Sequence, residues 1–154
     1  MPVVWSDRCL LHEPGAEIWI GVRTPATELP ARILAIRHAL DARVVEAAPH
    51  PDGALHLVHD PELTDYLASA WGEWEAAGLP DDPGQDRVVP YVFAHAGLGG
   101  RRVPAAPTAK PGAFAYDTMT LVGPGTWEAA RAAVDCALTA VDLGQYVSLG
   151  GGDL

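Results

Sequence analysis

The sequence has few cysteines, few basic residues and no long hydrophobic run. Cys9 and Cys136, the two cysteines among 154 residues, form no Cys-x-x-Cys pair, so we predict reduced, buried thiols rather than a disulfide framework or a cysteine zinc site. Ten Lys and Arg against 20 Asp and Glu give a formal charge of -10. This charge argues against nucleic acid or an anionic membrane as a partner but tolerates a cationic ligand. No stretch reaches the roughly 18 apolar residues of a membrane helix, and the N-terminus lacks a signal-peptide pattern, so we expect a cytoplasmic protein.

Common catalytic motifs are also absent. The sequence contains no His-His, Asp-x-His, His-Glu-x-x-His or Gly-x-Ser-x-Gly segment, which removes the usual signatures of zinc and serine hydrolases. Residues 97–100 (GLGG) lack the lysine and helix of a phosphate loop and are better explained as a hinge.

The densest group of histidines is His56 and His59 beside Asp60, with His50 slightly upstream. If residues 55–59 form a strand, side chains three apart point to opposite faces, so His56 and His59 would not reach one metal ion. The pattern therefore favours hydrogen-bonded or surface histidines near a helix start over a metal site.

What is present predicts alternating strands and helices. Short apolar runs at residues 3–5, 44–45 and 55–59 predict strands, and residues 88–95 look extended. The three helices, expected at about residues 30–40, from residue 61 to at least residue 74, and at about residues 127–143, have apolar stripes at helical spacing. The second should be capped by Asp60 with Pro61 in its first turn, and the third by Thr126. The predicted stripes are Ile33, Ile36 and Leu40; Leu63, Tyr66, Leu67, Ala70, Trp71 and Trp74; and Trp127, Ala130, Val134, Leu138 and Val141.

Glycine and proline are plentiful, with 16 and 14 residues, and they concentrate in the middle of the chain. Residues 78–112 are therefore predicted to form a long, mobile loop region. Residues 144–149 suggest a turn and a further strand. With 49% hydrophobic residues, the chain should fold as one α/β domain, or part of one, around a mostly parallel sheet.

Two features near the helices have competing explanations. Trp71 and Trp74, flanked by acidic residues, would suit a cation-binding surface, but core packing explains them more simply. Asp117, at the end of a long loop, would orient a ligand or would cap a turn, and the turn is the commoner role.

Four segments resemble the bacterial acetylpolyamine amidohydrolases of the histone deacetylase superfamily. They are residues 28–32 (ELPAR), 57–67 (LVHDPELTDYL), 70–78 (AWGEWEAAG) and 124–130 (PGTWEAA), and the similarity extends with gaps over about residues 3–143. The resemblance implies a partial arginase/deacetylase-like three-layer fold with a mostly parallel sheet and long loops. It also implies zinc-dependent hydrolysis of an acetyl amide on a small cationic polyamine or a lysine side chain.

The resemblance covers only the N-terminal portion of that family's domain. In the family, the catalytic histidine pair, the zinc ligands and the oxyanion-stabilising tyrosine follow the segment matched here. We therefore expect no catalytic residue, metal ligand or cofactor in this chain, and a truncated product or one half of a split enzyme.

Two positions carry over as channel or loop candidates: Arg32, near an internal channel, and Asp117, at the substrate entrance. The loop at residues 78–112 resembles an insertion that shapes the active-site mouth and a dimer contact. The partners implied are a second copy or a complementary C-terminal half, and the alternative function is a non-catalytic interaction or dimerisation module.

Overall fold

The computed structural model describes residues 2–82, 84–93, 95, 97, 102–120 and 122–149, with side chains to residue 144. Within these ranges, no helix combines the length and apolar character that a bilayer span requires. The elements in chain order are β1 (Val3–Trp5), a first 3₁₀-helix (Asp7–Leu11), β2 (Glu17–Trp19), β3 (Val22–Thr24), α1 (Pro30–Ala39), β4 (Val44–Glu46), α2 (Gly53–His56), α3 (Pro61–Ala76), a second 3₁₀-helix (Lys110–Ala113) and α4 (Thr126–Leu149).

The strands β1 and β4 form a parallel pair, in register from Val3 opposite Val44 to Trp5 opposite Glu46. A parallel pair needs a crossover connection, and α1 lies within that connection. The predicted α/β class with parallel pairing is confirmed. A hairpin of β2 and β3 was not predicted. Its two-residue loop, Ile20-Gly21, has positive φ at both positions, which matches the right-handed twist of paired strands.

The helix α3 begins as predicted and supplies the main hydrophobic core. The Asp60 carboxylate accepts a hydrogen bond from the Glu62 amide at 2.8 Å, and Pro61 occupies the first helical position. The core is made by Tyr66, Ala70, Trp74 and Val88, against which Leu67, Trp71, Leu79, Phe114 and Val122 pack. This placement supports core packing rather than a cation-binding surface as the role of the tryptophans.

The helix α4 buries a different face from the predicted one. Ala130 and Val141 of the predicted stripe are exposed, whereas the buried positions are Ala129, Ala132, Asp135 and Thr139. The polar members of this face have partners in the loop after β4. The Ala48 amide donates to Thr139 Oγ1 and the His50 amide donates to Asp135 Oδ1, both at 2.9 Å. Hydrogen bonding to this loop therefore selects the buried face, which apolar spacing alone did not reveal.

Two predicted strands were wrong, and the third extended segment forms a bridge at one position. Residues 55–59 form the end of α2 and a turn, in which the His59 amide bonds to the Leu55 carbonyl at 2.8 Å, and they pair with none of the described strands. Residues 144–149 continue α4, since exposed Gly144 is tolerated in the helix at a cost of about 1 kcal/mol. In the segment 88–95, Val88 forms one antiparallel bridge with Val122, and the other described residues there are not in strands.

The apolar stripe that was predicted on α1 is not buried against the rest of the protein that the structure describes. Ile36 and Leu40 are each 52% exposed, and none of the helix's residues is fully buried.

The loop after β4 contains a histidine between two carboxylates. His50 Nε2 lies 3.0 Å from Asp142 and Nδ1 lies 3.4 Å from Asp135. The hydrogen bond with Asp142 is the main cause that raises the pKa of His50 above its ordinary value. When it is protonated, His50 therefore adds to the contacts that hold the loop to α4.

We expect the contribution of His50 to the melting temperature to fall as the pH rises from about 5.5 to 8.5. A histidine with a raised folded-state pKa stabilises fully below its unfolded pKa of about 6.5, and the contribution disappears as the pH passes the folded value. A second histidine, His12, has a lowered pKa and contributes in the opposite direction, so the contribution of His50 is read from the difference in melting temperature between the parent chain and His50→Gln, which should shrink as the pH rises. Identical slopes in the two proteins would rule out His50 as the titrating group.

Candidate functional site

Two hollows border the bridge between Val88 and Val122, whose backbone hydrogen bond is 2.8 Å long. The polar cleft, of about 210 Å³, adjoins the residues on one side of this bridge. The aromatic hollow, of about 170 Å³, contains the bridge residues themselves. The polar cleft is lined by His12, Glu13, Pro14, Gly15, Asp86, Arg87, Gly123, Pro124 and Thr126.

His12 and Thr126 join two distant segments at the polar cleft. His12 Nδ1 lies 2.8 Å from Thr126 Oγ1, and the same oxygen accepts a hydrogen bond from the Gly123 amide at 2.9 Å. Thr126 is the first residue of α4, so its hydroxyl organises the preceding turn rather than capping the helix as predicted. Burial lowers the pKa of His12, so at neutral pH the ring is uncharged and Nε2 remains as its second hydrogen-bonding atom.

A buried arginine forms one wall of the polar cleft. The Arg87 side chain is 5% exposed, bonds both oxygens of Asp86 at 2.8 and 2.9 Å, and donates to the Ala16 carbonyl. This bidentate pairing, with help from Arg23, lowers the pKa of Asp86 to about 2. The guanidinium therefore fastens the start of β2 to the loop after α3, and its charge is neutralised locally.

The turn before α4 requires a glycine. Gly125 has a φ of +74°, and a Cβ at this position would collide with the Leu11 carbonyl. This close approach sets the start of α4 against the first 3₁₀-helix, directly before His12.

Replacing Gly125 with alanine should lower the free energy of unfolding by roughly 2–3 kcal/mol, because it adds left-handed strain to a steric clash. Gly144→Ala is the matched control. Gly144 lies within α4, where an added Cβ meets nothing within 4 Å, so alanine there should stabilise the helix by about 0.5–1 kcal/mol. Urea denaturation would measure both, and equal stabilities would contradict the tight packing at Gly125.

The aromatic hollow is built on α3 and on the segment that contains the second 3₁₀-helix. Tyr66 and Phe114 stack with ring centroids 4.3 Å apart and an interplanar angle of 11°. Lys110 Nζ lies 5.8 Å from the centre of the Tyr66 ring and pairs with Glu73 at 2.7 Å. Tyr116, fully exposed, stands at the rim.

Asp117, predicted as a loop candidate, lies at this hollow. Its carboxylate accepts hydrogen bonds from the amides of Thr120 at 2.8 Å and Met119 at 2.9 Å. These bonds, with that from Thr120 the stronger influence, lower the pKa of Asp117, so the carboxylate is ionised at neutral pH. The turn-capping role is therefore present in the structure, and the exposed carboxylate is still available to a ligand.

Arg32, the other predicted candidate, lines neither hollow. It lies in the first turn of α1, pairs with Glu28 one turn earlier, and its side chain is 59% exposed. The structure therefore does not bring Arg32 and Asp117 to one site, and the channel role of Arg32 stays a prediction. Sequence reasoning missed His12 and Arg87, because their partners are distant in sequence or are backbone carbonyls.

The histidines considered as metal ligands have other partners. His56 Nε2 lies 3.2 Å from Thr64 Oγ1, in the first turn of α3, and His50 lies between the carboxylates of α4. Among the described residues, no group of three or more His, Cys, Asp or Glu side chains is placed to hold a metal ion. The described residues therefore do not assemble the zinc centre of the family, whose ligands the resemblance places after the segment matched here.

The architecture defines an incomplete α/β fold of the deacetylase type. It matches the solved structure of acetylpolyamine aminohydrolase from Burkholderia pseudomallei with a TM-score of 0.76 and 25% identity, over 93% of this chain and 41% of that one. No family model matches the chain.

Curated relatives agree with the structural match. The chain is 29% identical over 150 residues to acetylpolyamine amidohydrolase from Mycoplana ramosa, and 29% identical over 147 residues to acetylpolyamine amidohydrolase 1 from Pseudomonas aeruginosa. These matches include 93% and 89% of this chain but only 41% and 40% of the relatives. The resemblance to the N-terminal portion of the acetylpolyamine amidohydrolases is confirmed, and the chain spans about two fifths of the length of these relatives.

Proposed function

We propose that this chain is the N-terminal portion of a deacetylase that hydrolyses the acetyl amide of acetylated polyamines or acetyl-lysine. The observation that carries the proposal is the match over 93% of the chain, in sequence and in fold, to enzymes named for acetylpolyamine hydrolysis. Zinc belongs to the proposal for the whole enzyme only. No catalytic step is assigned to the described residues, and the isolated chain is proposed to be inactive.

Within the whole enzyme, this chain would supply scaffold and part of the substrate entrance. The aromatic hollow offers apolar surface beside the ionised carboxylate of Asp117, and the chain carries a formal charge of -10. Both features suit a small cationic substrate with an alkyl chain, because aromatic faces and carboxylates attract ammonium groups.

A chimera tests this role. In the Mycoplana ramosa enzyme, the two fifths that match would be replaced by this chain, and the zinc-loaded product would be assayed on acetylputrescine. We expect zinc-dependent hydrolysis above a metal-free blank, and none from this chain alone with added zinc. A folded, zinc-loaded chimera without activity would count against the proposal, as would turnover by the isolated chain.

Asp117→Asn in the chimera tests the entrance separately. Asparagine keeps the acceptor oxygen of the turn but removes the charge, so we expect KM for acetylputrescine to rise roughly fivefold with kcat little changed. Glu75→Gln, an exposed carboxylate on α3 that does not line the hollow, is the matched control and should leave KM unchanged. Equal KM values for both variants would remove Asp117 from substrate binding.

A second candidate is a non-catalytic module that pairs with a second copy or with a chain carrying the metal half. Exposed apolar residues on α1 and β4 favour it: Leu34, Ile36, Leu40 and Val44 are 42–52% exposed. If the chain pairs with a second copy of itself, light scattering after size exclusion would show a dimer whose fraction rises with protein concentration. A monomer that gains zinc-dependent activity on mixing with the remaining part of the Mycoplana ramosa enzyme would support the second.

A further inference from the structure

The two cysteines lie on elements that pack together. Cys9 belongs to the first 3₁₀-helix and Cys136 to α4, and these two helices pack against each other. Both thiols are free and half-buried. The predicted burial of both thiols is therefore partial, since both keep some access to solvent.

Several contacts hold the 3₁₀-helix in place beside α4. Ser6 Oγ caps its start through the Arg8 amide, and the Leu11 carbonyl abuts Gly125. His12, the next residue, bonds Thr126 at 2.8 Å. Cys9 thus lies in a short helix restrained at both ends, and its position relative to α4 is defined by the fold rather than by a mobile terminus.

The thiols themselves interact across this interface. Burial is the main cause that raises the pKa of Cys136 to about 11, and the Cys9 thiol, through charge and hydrogen bonding, is the next. Glu46 and Asp135 add a smaller effect of the same sign. Cys136 is consequently a neutral thiol at neutral pH, on the helix that packs against the one carrying Cys9.

We propose that Cys9 and Cys136 form a reversible disulfide when the protein meets a peroxide. The packed helices bring together two thiols that lie 127 positions apart, which is the condition for an intramolecular bridge. A disulfide needs Cα atoms about 4.4–6.8 Å apart, so the proposal requires the two packed helices to bring the Cα atoms of Cys9 and Cys136 into this range.

The reaction balances with hydrogen peroxide as the oxidant. The Cys9 sulfur attacks one peroxide oxygen, the O–O bond breaks, and sulfenic acid and one water form. The Cys136 sulfur then attacks the Cys9 sulfur, the S–O bond breaks, and hydroxide takes up the released proton as a second water. Cys136 is assigned the second step because burial raises its pKa to about 11, and the two thiols together lose two electrons and two protons.

The bridge would fasten the wall of the polar cleft. His12 and Glu13 follow the 3₁₀-helix directly, so a link from Cys9 to α4 ties this segment to the helix that carries Thr126. It would also close a loop of more than 100 residues, which reduces the entropy of the unfolded chain substantially. We expect the melting temperature of the oxidised protein to rise by about 5–10 °C.

The test is oxidation of the reduced, folded chain with hydrogen peroxide, followed by thiol blocking, digestion without reductant and mass spectrometry. We expect a linked peptide pair containing Cys9 and Cys136, a monomeric product, and full reversal by dithiothreitol. The rate should increase from pH 7 to pH 9, since the thiolate is the attacking form. Disulfide-linked dimers, or sulfinic acid without a linked pair, would overturn the proposal.

Two controls separate native geometry from the mere presence of two thiols. The same oxidation in concentrated urea should form the intramolecular bridge at least about tenfold more slowly, because unfolding removes the proximity of the sulfurs. Cys9→Ser and Cys136→Ser should each lose the rise in melting temperature on oxidation. Equal rates in the native and unfolded chains would overturn the proposal even if either serine variant failed to fold.

Discussion

Replacing Trp74 with alanine is expected to lower the free energy of unfolding by about 3–5 kcal/mol. The Trp74 side chain is 4% exposed and contributes the largest ring of the core around α3. Its Nε1 also donates to the Gln85 carbonyl at 2.9 Å, which ties the loop after α3 to the helix. Alanine would remove most of the packed ring, leave a cavity beside Val88 and free that carbonyl. Since a domain of this size is stable by only about 5–15 kcal/mol, much of the protein would unfold at moderate urea concentrations.

Trp19→Ala is the matched control for this prediction. Trp19 ends β2 and is 54% exposed, so its truncation removes the same side chain without opening a buried cavity. We expect a loss below about 1 kcal/mol. Urea denaturation followed by circular dichroism would measure both variants, and Trp74→Phe would separate the hydrogen bond from the packing. A cost for Trp74→Ala no larger than that for Trp19→Ala would show that this core is not the stabilising centre of the fold.

Replacing Arg131 with methionine is expected to lower the free energy of unfolding by about 3 kcal/mol. The Arg131 side chain is 12% exposed and bonds Asp135 one turn along α4 at 2.8 Å, as well as Asp52 at 3.0 Å and the His50 carbonyl. Methionine keeps much of the apolar stem but removes the arginine from the Asp135 carboxylate, itself 12% exposed, which then keeps only its contacts with His50. A buried carboxylate that loses its arginine partner is costly because it has also lost its hydration.

Measuring Arg131→Met in a protein that also carries Asp135→Asn tests whether the loss of stability comes from the buried charge. Asp135→Asn keeps an oxygen acceptor for the His50 amide but carries no charge, so Arg131→Met should cost much less when Asn replaces Asp135. Arg32→Met is the exposed control: its pair with Glu28 is 59% and 66% exposed, and its loss should change stability by less than about 1 kcal/mol. The same cost of Arg131→Met in both backgrounds would assign the effect to lost packing instead of to the buried charge.

Short sequence signals correctly predicted the elements whose backbone hydrogen bonds are made by residues close in sequence. Asp60 and Pro61 identified the start of α3, because a capping carboxylate and a proline without an amide act within one turn. The runs at residues 3–5 and 44–45 were recognised as strands, and they pair in parallel. The family resemblance, which depends on four short segments, was confirmed by the curated relatives and by the fold.

The predictions that failed concern elements whose state depends on distant partners. The apolar alternation of residues 55–59 is typical of a strand, but a strand needs a neighbour, and here turn hydrogen bonds satisfy the backbone instead. The buried face of α4 includes Asp135 and Thr139, whose partners lie more than 80 residues away. The two residues of such a contact are too far apart in sequence for a local sequence pattern to include both of them.

The sequence by itself determined the class of fold, the start of α3, the acidic charge and the family likeness, since composition and short-range spacing encode all of them. Only the tertiary structure decided which face of α4 is buried, that Arg87 is enclosed against the start of β2, and that the helices carrying Cys9 and Cys136 pack together. The physical reason is that these features depend on contacts between residues far apart in sequence. Such contacts form when the chain has closed its long loops, and the entropy of that closure is offset by the packing of the whole domain.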